Sequence, residues 1–337
     1  MYIDELEKSL REFGEAEEDI NAAKKYAENL LQLHLPVIFD RVHFSLLQGR
    51  DVTEISKMTA TLEEFYYRQM SIPKKTGGDR VLDVPNPNIR LIQKWILKHI
   101  LYKIPISQYA NGFCKNRSIK TNAEKHIGME CVINVDLKDF FPSIRQKQIF
   151  RIFYYYGYTI QVSHLLARLC TYNGYLPQGA VTSPYLSNIV CLKLDKRLGG
   201  LAKKYNAYYT RYADDITFSG NKNISRMLPV VEKIIRDEGF TVNEAKTRVQ
   251  YNYDRQEVTG LIVNGGKVHV NRQYLKKLKQ EIYYCRKYGP SNHMQHEKIK
   301  KLNFRDHLYG KAYFVKMIDA ELGIKLIREL NEVDWER

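Results

Sequence analysis

The chain has 337 residues, 44% of them hydrophobic, and a formal net charge of +15 at pH 7. At this length about 75% of the unfolded surface is buried on folding, so a large core divided over two or three subdomains is expected. The cation surplus points to a polyanionic partner, nucleic acid first and an anionic membrane surface second, and no apolar run approaches the ~18 residues that would cross a bilayer.

The N-terminus carries Asp4, Glu5 and Glu7 and lacks the basic and apolar regions of a secretory signal. The five cysteines are scattered and form no Cys-x-x-Cys pair, so neither a disulfide framework nor a zinc site is expected, and a cytoplasmic setting fits. Tyrosines number 25 against two tryptophans. Tyr can stack on a base and donate a hydrogen bond, although any single Tyr is more often a packing residue.

In chain order, residues 1–65 read as a helical extension, with Leu6, Leu10 and Phe13, then Ala23, Tyr26, Leu30 and Leu31, at helical spacing. Residues 71–82 read as two short strands around Gly77-Gly78. A three-residue loop over 76–78 sets Lys74 across from Arg80, whereas a two-residue loop sets Lys75 there. Both registers put two cations on one face, which a solvated hairpin tip would also show. Asn86-Pro87-Asn88 breaks the strand, and a helix is expected over about 89–101.

Residues 131–137 read as a buried strand carrying Asp136 at its end, with Pro142 and Ser143 starting a helix that Gly157 closes. Ser183-Pro184 begins another helix, expected to end near Gly199-Gly200. Residues 208–218 are β-prone on both sides of Ala213-Asp214-Asp215, which predicts a hairpin with the acids at its turn. A helix over 224–238 ends at Gly239, and strands follow near 247–252 and 256–263. The middle of the chain therefore alternates strand and helix around a small, mostly antiparallel sheet of split βαβ type. From 271 the sequence is helical and basic: Lys276, Lys277, Lys279, Arg286, Lys287, Lys298, Lys300 and Lys301 interleave with Tyr283, Tyr284 and Tyr288.

Carboxylates at strand ends in an apolar setting are paired, hydrogen-bonded or metal-bound, because uncompensated burial is costly. Asp136, Asp214 and Asp215, converging from neighbouring strands, suit hard divalent cations. Two such ions about 4 Å apart serve phosphoryl transfer. An Asp-Asp pair alone is also an ordinary turn.

Tyr212-Ala213-Asp214-Asp215, the run from Asp136 to Phe141 and Pro142, and the run from Leu176 through Gln178-Gly179 to Pro184 together resemble reverse transcriptases. The ordered likeness extends from Ile72-Pro73-Lys74-Lys75 with Arg80, through Gly112-Phe113, to Gly239–Asn243 with Lys246 and on to Gly260. Within that family, Asn122-Ala123-Glu124-Lys125-His126 and Val258-Thr259-Gly260 resemble two short signatures of the bacterial retron group.

The resemblance implies an α+β right-hand polymerase: a helical extension at 1–65, fingers at 66–130 and 147–183, palm at 131–146 and 184–265, and a basic helical thumb at 266–337. It implies two Mg²⁺ ions on Asp136, Asp214 and Asp215, with Mn²⁺ as a possible substitute. Lys74 and Arg80 would grip the incoming dNTP, which favours the three-residue loop. Phe141 would exclude a ribose 2′-hydroxyl. Gln178 and Gly179 would line the nucleotide site, and Lys246 would face the departing pyrophosphate unless it is a surface lysine. Asn122, His126, Val258, Thr259, Gly260, Lys276, Lys277, Arg286 and Lys287 would touch RNA or the template–primer duplex. His293 and His296 lack a third ligand in the sequence, so no zinc is expected there. No RNase H, integrase or endonuclease domain is expected within these residues.

The function implied is copying of a dedicated structured non-coding RNA into DNA, primed from a 2′-hydroxyl of that RNA to give branched RNA–DNA. It would act in anti-phage defence with a separate effector protein and no membrane. Two alternatives stay open: an RNA-binding scaffold of a defence complex, and an intron-associated or template-independent reverse transcriptase.

Overall fold

Amphipathic spacing at the N-terminus produces four helices, α1 Tyr2–Glu12, α2 Glu17–Gln32, α3 Arg41–Leu47 and α4 Val52–Thr59. The last two start where side-chain caps dictate: Asp40 accepts from the His43 amide and Asp51 from the Thr53 amide. The computed structural model describes residues 2–60, 65–73, 78–300 and 302–336. The chain divides into two units, one of 1–113, 137–197 and 233–242, the other of 114–136, 198–232 and 243–337.

In the first unit, β1 Tyr67–Pro73 pairs antiparallel with β2 Asp79–Pro85. The register corrects the sequence expectation, because among the described residues Arg80 lies opposite Ile72 and Pro73 opposite Asp79. Neither Lys74 nor Lys75 is therefore the cross-strand partner of Arg80. Lys74 itself lies outside the described residues. Helix α5 Pro87–His99 starts two residues earlier than expected, since Asn86 caps the Ile89 amide and Pro87 takes the first helical position. It buries Ile89, Ile92, Gln93 and Ile96.

Helix α6 Ile119–Ala123 opens the second unit under a capping box between Ser118 and Thr121. Strand β3 Cys131–Lys138 follows, buried at six of its eight positions. Two helices, α7 Phe140–Ser143 and α8 Gln146–Tyr155, replace the single one expected from Ser143. The break falls at Ile144-Arg145, which are extended. Helices α9 Ile160–Cys170, α10 Ser183–Val190 and α11 Leu192–Lys204 come next. The last runs through Gly199-Gly200 instead of ending there. Two glycines cost roughly 1 kcal/mol each in a helix, and burial of Leu198 and Ala202 on either side offsets that.

The rest follows in order: β4 Tyr208–Tyr212, β5 Asp215–Gly220, α12 Leu228–Asp237, β6 Thr241–Val242, β7 Arg248–Tyr251, β8 Glu257–Val258, β9 Leu261–Ile262 and β10 His269–Val270. The chain then forms α13 Arg272–Tyr288, α14 Pro290–His296, α15 Phe304–Ile318 and α16 Ala320–Asn331. The strand expected over 256–263 is in fact the tight β8–β9 hairpin, turned by Thr259 at φ 46° and Gly260 at φ 82°. Positive φ at both central residues is the type I′ geometry.

In the second unit, residues 131–136 of β3 pair antiparallel with β5 on one edge, residues 131–134 pair with β7 on the other, and β4 pairs with β5. Its core joins Val132, Val258, Leu261 and Val263 to Leu278, Ile282, Leu308, Val315 and Leu326 of the C-terminal helices. In the first unit, Leu137 and Lys138 pair with β6.

Candidate active site

Strand pairing alone brings two of the three acids together. Asp136, near the end of β3, is the cross-strand partner of Asp215, the first residue of β5. Asp214 occupies the two-residue turn before it, with Tyr212 and Asp215 as the closing pair. Ala213 takes φ 56° at the first central position, a left-handed conformation disfavoured for a residue with a Cβ. The buried Arg211 guanidinium donates to the Ala213 carbonyl at 3.2 Å and so supports the turn.

Asp136 is enclosed and fully engaged. Its carboxylate accepts from Asn243 Nδ2 at 2.9 Å and from Lys246 Nζ at 3.0 and 3.1 Å, and its carbonyl accepts from the Asn243 amide at 2.8 Å. Asp215 is open to solvent on one side, yet protein crowds the inner side of its carboxyl. That burial first, then the charges of Asp214 and Asp136, push its pKa up to about 6, with Lys246 and Arg248 opposing.

These donors fit magnesium. They are all hard oxygens, and the repulsion that raises Asp215 is what a divalent cation relieves. Among the described residues no group of three or more His, Cys, Asp or Glu side chains is placed to hold a metal ion on its own. Magnesium takes one or two protein carboxylates, with water and substrate phosphates completing its shell.

A cavity of about 250 Å³ opens beside the acids. Asp136, Asp215, Lys246, Arg248, Glu257 and Thr259 are among its walls, together with Gly260. Two segments quoted for the retron likeness thus have different fates. Thr259 and Gly260 reach the cavity, but Val258 is buried in the core. Asn122 and His126 are also wholly buried, which corrects their expected contact with RNA: neither side chain reaches solvent. His126 instead joins Thr210 and Ser219 of the acid-bearing hairpin, at 2.7 and 2.6 Å.

The remaining candidates fall in their own settings. In the first unit, Arg80 is exposed on β2. Phe141 is half-buried, with its ring 6.2 Å from that of Phe113 and 5.3 Å from that of Phe140. Gln178 is half-buried and its carbonyl accepts from the Asp83 amide at 2.9 Å. At Gly179, φ is 135° and an added Cβ would stand 2.8 Å from the Asp83 carbonyl, so only glycine lets this loop meet β2. In the second unit, α13 buries Leu278, Glu281, Ile282 and Cys285, leaving Lys276, Lys277, Arg286 and Lys287 exposed. Lys287 lies over the rings of Tyr283 and Tyr288, and Arg286 pairs with Glu332. Sequence reasoning assigned no role to Asn243, Arg211, Arg248 or Glu257. Arg211 had a signal, a lone charge inside a β-prone run; the others are assembled only by the fold.

A family model described as "Reverse transcriptase (RNA-dependent DNA polymerase)" matches residues 72–286. The Retron Ec86 reverse transcriptase of Escherichia coli is 32% identical over 311 residues, covering 90% of this chain and 92% of its own length. Two proteins of Myxococcus xanthus, the Retron Mx162 and Retron Mx65 reverse transcriptases, are each 35% identical. Those matches cover 80% and 78% of this chain, and 61% and 64% of the Myxococcus proteins.

Proposed function

The chain belongs to the reverse transcriptase family, as a retron-type member, and on that premise we propose that it copies one dedicated structured RNA into DNA joined to that RNA through a 2′-hydroxyl. It is an RNA-directed DNA polymerase with the right-hand fold and the divalent-metal dependence of its family. The proposal concerns which RNA is used, how synthesis is primed, and which residues do the work. The pairing of Asp136 with Asp215, with Asp214 in the adjoining turn, carries the site assignment, and the likeness to retron reverse transcriptases supports the RNA and priming claims.

In this reading Asp136, Asp214 and Asp215 hold two Mg²⁺ ions. When bound, the ions supply activation of the attacking hydroxyl and charge neutralisation at the transferring phosphate. Asn243 and Lys246 orient Asp136 through three bonds to its carboxylate. Lys246 also brings a cation to the edge of the cavity, where it can meet a departing pyrophosphate. Lys74 and Arg80 bind the triphosphate, and Arg80 suits this by its exposed fork of donors. Phe141 excludes a ribose 2′-hydroxyl by steric conflict, and Gln178 with Gly179 lines the sugar site. The exposed cations of α13 grip RNA and duplex through phosphates, a salt-sensitive contact. Thr259 and Gly260 contact RNA or the template–primer duplex from the cavity wall. Fingers, palm and thumb follow the boundaries read from sequence. The system acts against phage with a separate effector.

Sequencing nucleic acid copurified with the chain tests the RNA claim. One RNA species bearing a covalent DNA branch, with dNTP incorporation dependent on Mg²⁺, is the expected result. Asp214→Asn should abolish incorporation, by about 10³-fold or more, while RNA still copurifies. Heterogeneous RNA without a branch would defeat the priming claim, and an active Asp214→Asn protein would defeat the site assignment.

A further inference from the structure

His126 is wholly buried, and nothing in the chemistry above uses it. Its ring bridges two hydroxyls: Nε2 meets Thr210 Oγ1 at 2.7 Å and Nδ1 meets Ser219 Oγ at 2.6 Å. Thr210 belongs to β4 and Ser219 to β5, the two strands that carry the acidic turn. In the hairpin register Thr210 faces Thr217 while Ser219 faces Tyr208, so the bridged pair is a diagonal one. Strand periodicity puts Thr210, Tyr212, Asp215, Thr217 and Ser219 on one face of the sheet. The imidazole therefore clamps the two strands from the same face on which Asp215 stands.

The clamp is itself held at both ends. The Ser118–Thr121 capping box fixes the start of α6, and the Gly128 amide donates to the Val263 carbonyl at 3.0 Å. Thr259, on the cavity wall, donates to the Ile119 carbonyl at 3.4 Å. A second polar tie runs parallel to the first: Thr217 Oγ1 donates to Asn134 Oδ1 at 3.2 Å, and Asn134 Nδ2 donates to Gln250 Oε1 and to the Glu257 carbonyl, both at 3.0 Å.

The hairpin needs holding. Its turn carries the left-handed Ala213, and its acids repel one another. A one-residue slip of β5 would turn Asp215 to the opposite face, and a slip of β4 would turn Thr210 away from the imidazole. We propose that His126 is a positioning residue for catalysis, a neutral imidazole that locks the strand register of the acidic hairpin and with it the placing of Asp214 and Asp215 for divalent cations. It acts through Thr210 and Ser219 and contacts neither RNA nor nucleotide. The inference rests on the polymerase reading of the acids and assigns a task to the 122–126 segment.

The test uses the full-length chain with a homopolymer RNA template and a DNA primer, so that no cognate RNA is required. His126→Phe keeps an aromatic ring and removes both bonds. It should lower kcat about 10- to 100-fold, the scale of a 1 Å misplacement of a reacting group, with KM for dNTP and RNA affinity within about twofold of wild type. Free-Mn²⁺ electron paramagnetic resonance, which needs no turnover, should show weaker Mn²⁺ binding in the same variant. Ser219→Ala and Thr210→Val each delete one bond with little change in volume, and carry the test if His126→Phe does not fold. Each should fall between wild type and His126→Phe, and His126→Phe/Thr210→Val should be no worse than His126→Phe alone. Unchanged kcat and Mn²⁺ affinity in the folded variants would overturn the proposal, as would lost RNA affinity with kcat intact. If wild type itself failed to polymerise, the Mn²⁺ titration would still decide about His126.

Discussion

Two antiparallel hairpins carry residues assigned to nucleotide chemistry, and they are built in opposite ways. In β4–β5 nearly every residue between the ends is buried, and its polar side chains are tied to His126 and Asn134. In β1–β2 only Tyr67, Asp83 and Pro85 are buried, and the half nearest the turn is exposed on both strands. The first hairpin presents carboxylates whose spacing must be kept to a fraction of an ångström for metal chemistry. In the proposed function the second offers Arg80 to a phosphate, a task that tolerates a solvated setting.

Alanine truncations on the two hairpins, of three carbon atoms at Ile216 and two at Val81, should break this contrast if it is wrong. Ile216, wholly buried on β5, loses three carbon atoms as Ile216→Ala and should cost about 2–5 kcal/mol of stability. Val81, half-exposed on β2, should cost less than about 0.5 kcal/mol as Val81→Ala. Urea unfolding of both variants measures the difference, and similar losses would mean that β1–β2 is as buried in solution as β4–β5.

The same contrast explains what was legible in the sequence. The acidic hairpin could be read because Tyr208–Tyr212 and Asp215–Gly220 are β-prone and one register alone keeps the alternating pattern around a two-residue turn. The β1–β2 register could not, because the sequence at its tip is polar and glycine-rich, so more than one connection length satisfies the pattern equally. Asp136 was recognisable as an acid ending an apolar run. Its partners Asn243 and Lys246 lie more than a hundred residues downstream, and only the fold joins them. His126 was placed among the RNA contacts by the retron resemblance of the 122–126 segment, and on its own a single histidine is more often a packing residue. Its buried partners Thr210 and Ser219 are equally silent residue types. Gly199-Gly200 looked like a helix end, and the burial of their neighbours outweighed the local preference.

The polar clamp gives the buried hairpin a pH signature. Burial first, then the Lys125 charge, lower the His126 pKa from 6.5 to about 3. The unfolded chain thus binds a proton that the folded chain refuses between these values, so the contribution is complete above about pH 6.5 and is lost as pH falls toward 3. By pH 5 the loss is about 2 kcal/mol. His126→Gln, which does not titrate, should lack this component when wild type and variant are unfolded in urea at pH 7.5 and pH 5. Identical pH dependence in the two proteins would show that His126 is not buried as a neutral ring.

The smallest effect belongs to the exposed hairpin. Arg80 faces Ile72 across the strands and is solvated. Its removal should leave folding stability within about 0.5 kcal/mol of wild type. One charge-assisted hydrogen bond to phosphate is worth about 1.5–3 kcal/mol, and a solvated setting puts Arg80 at the low end, so Arg80→Ala should raise KM for dNTP about tenfold. Arg80→Lys should recover part of that, because a point charge keeps the attraction but not the two-pronged geometry. The kcat at saturating dNTP should change less than KM, since the contact is made to substrate before the acids act. Steady-state incorporation at varied dNTP separates the two parameters. A loss confined to kcat would place Arg80 with the acids in the bond-making step, and an unchanged KM would remove it from the nucleotide site. In either case the division of labour between a buried, register-locked hairpin and a solvated, charge-bearing one would have to be redrawn.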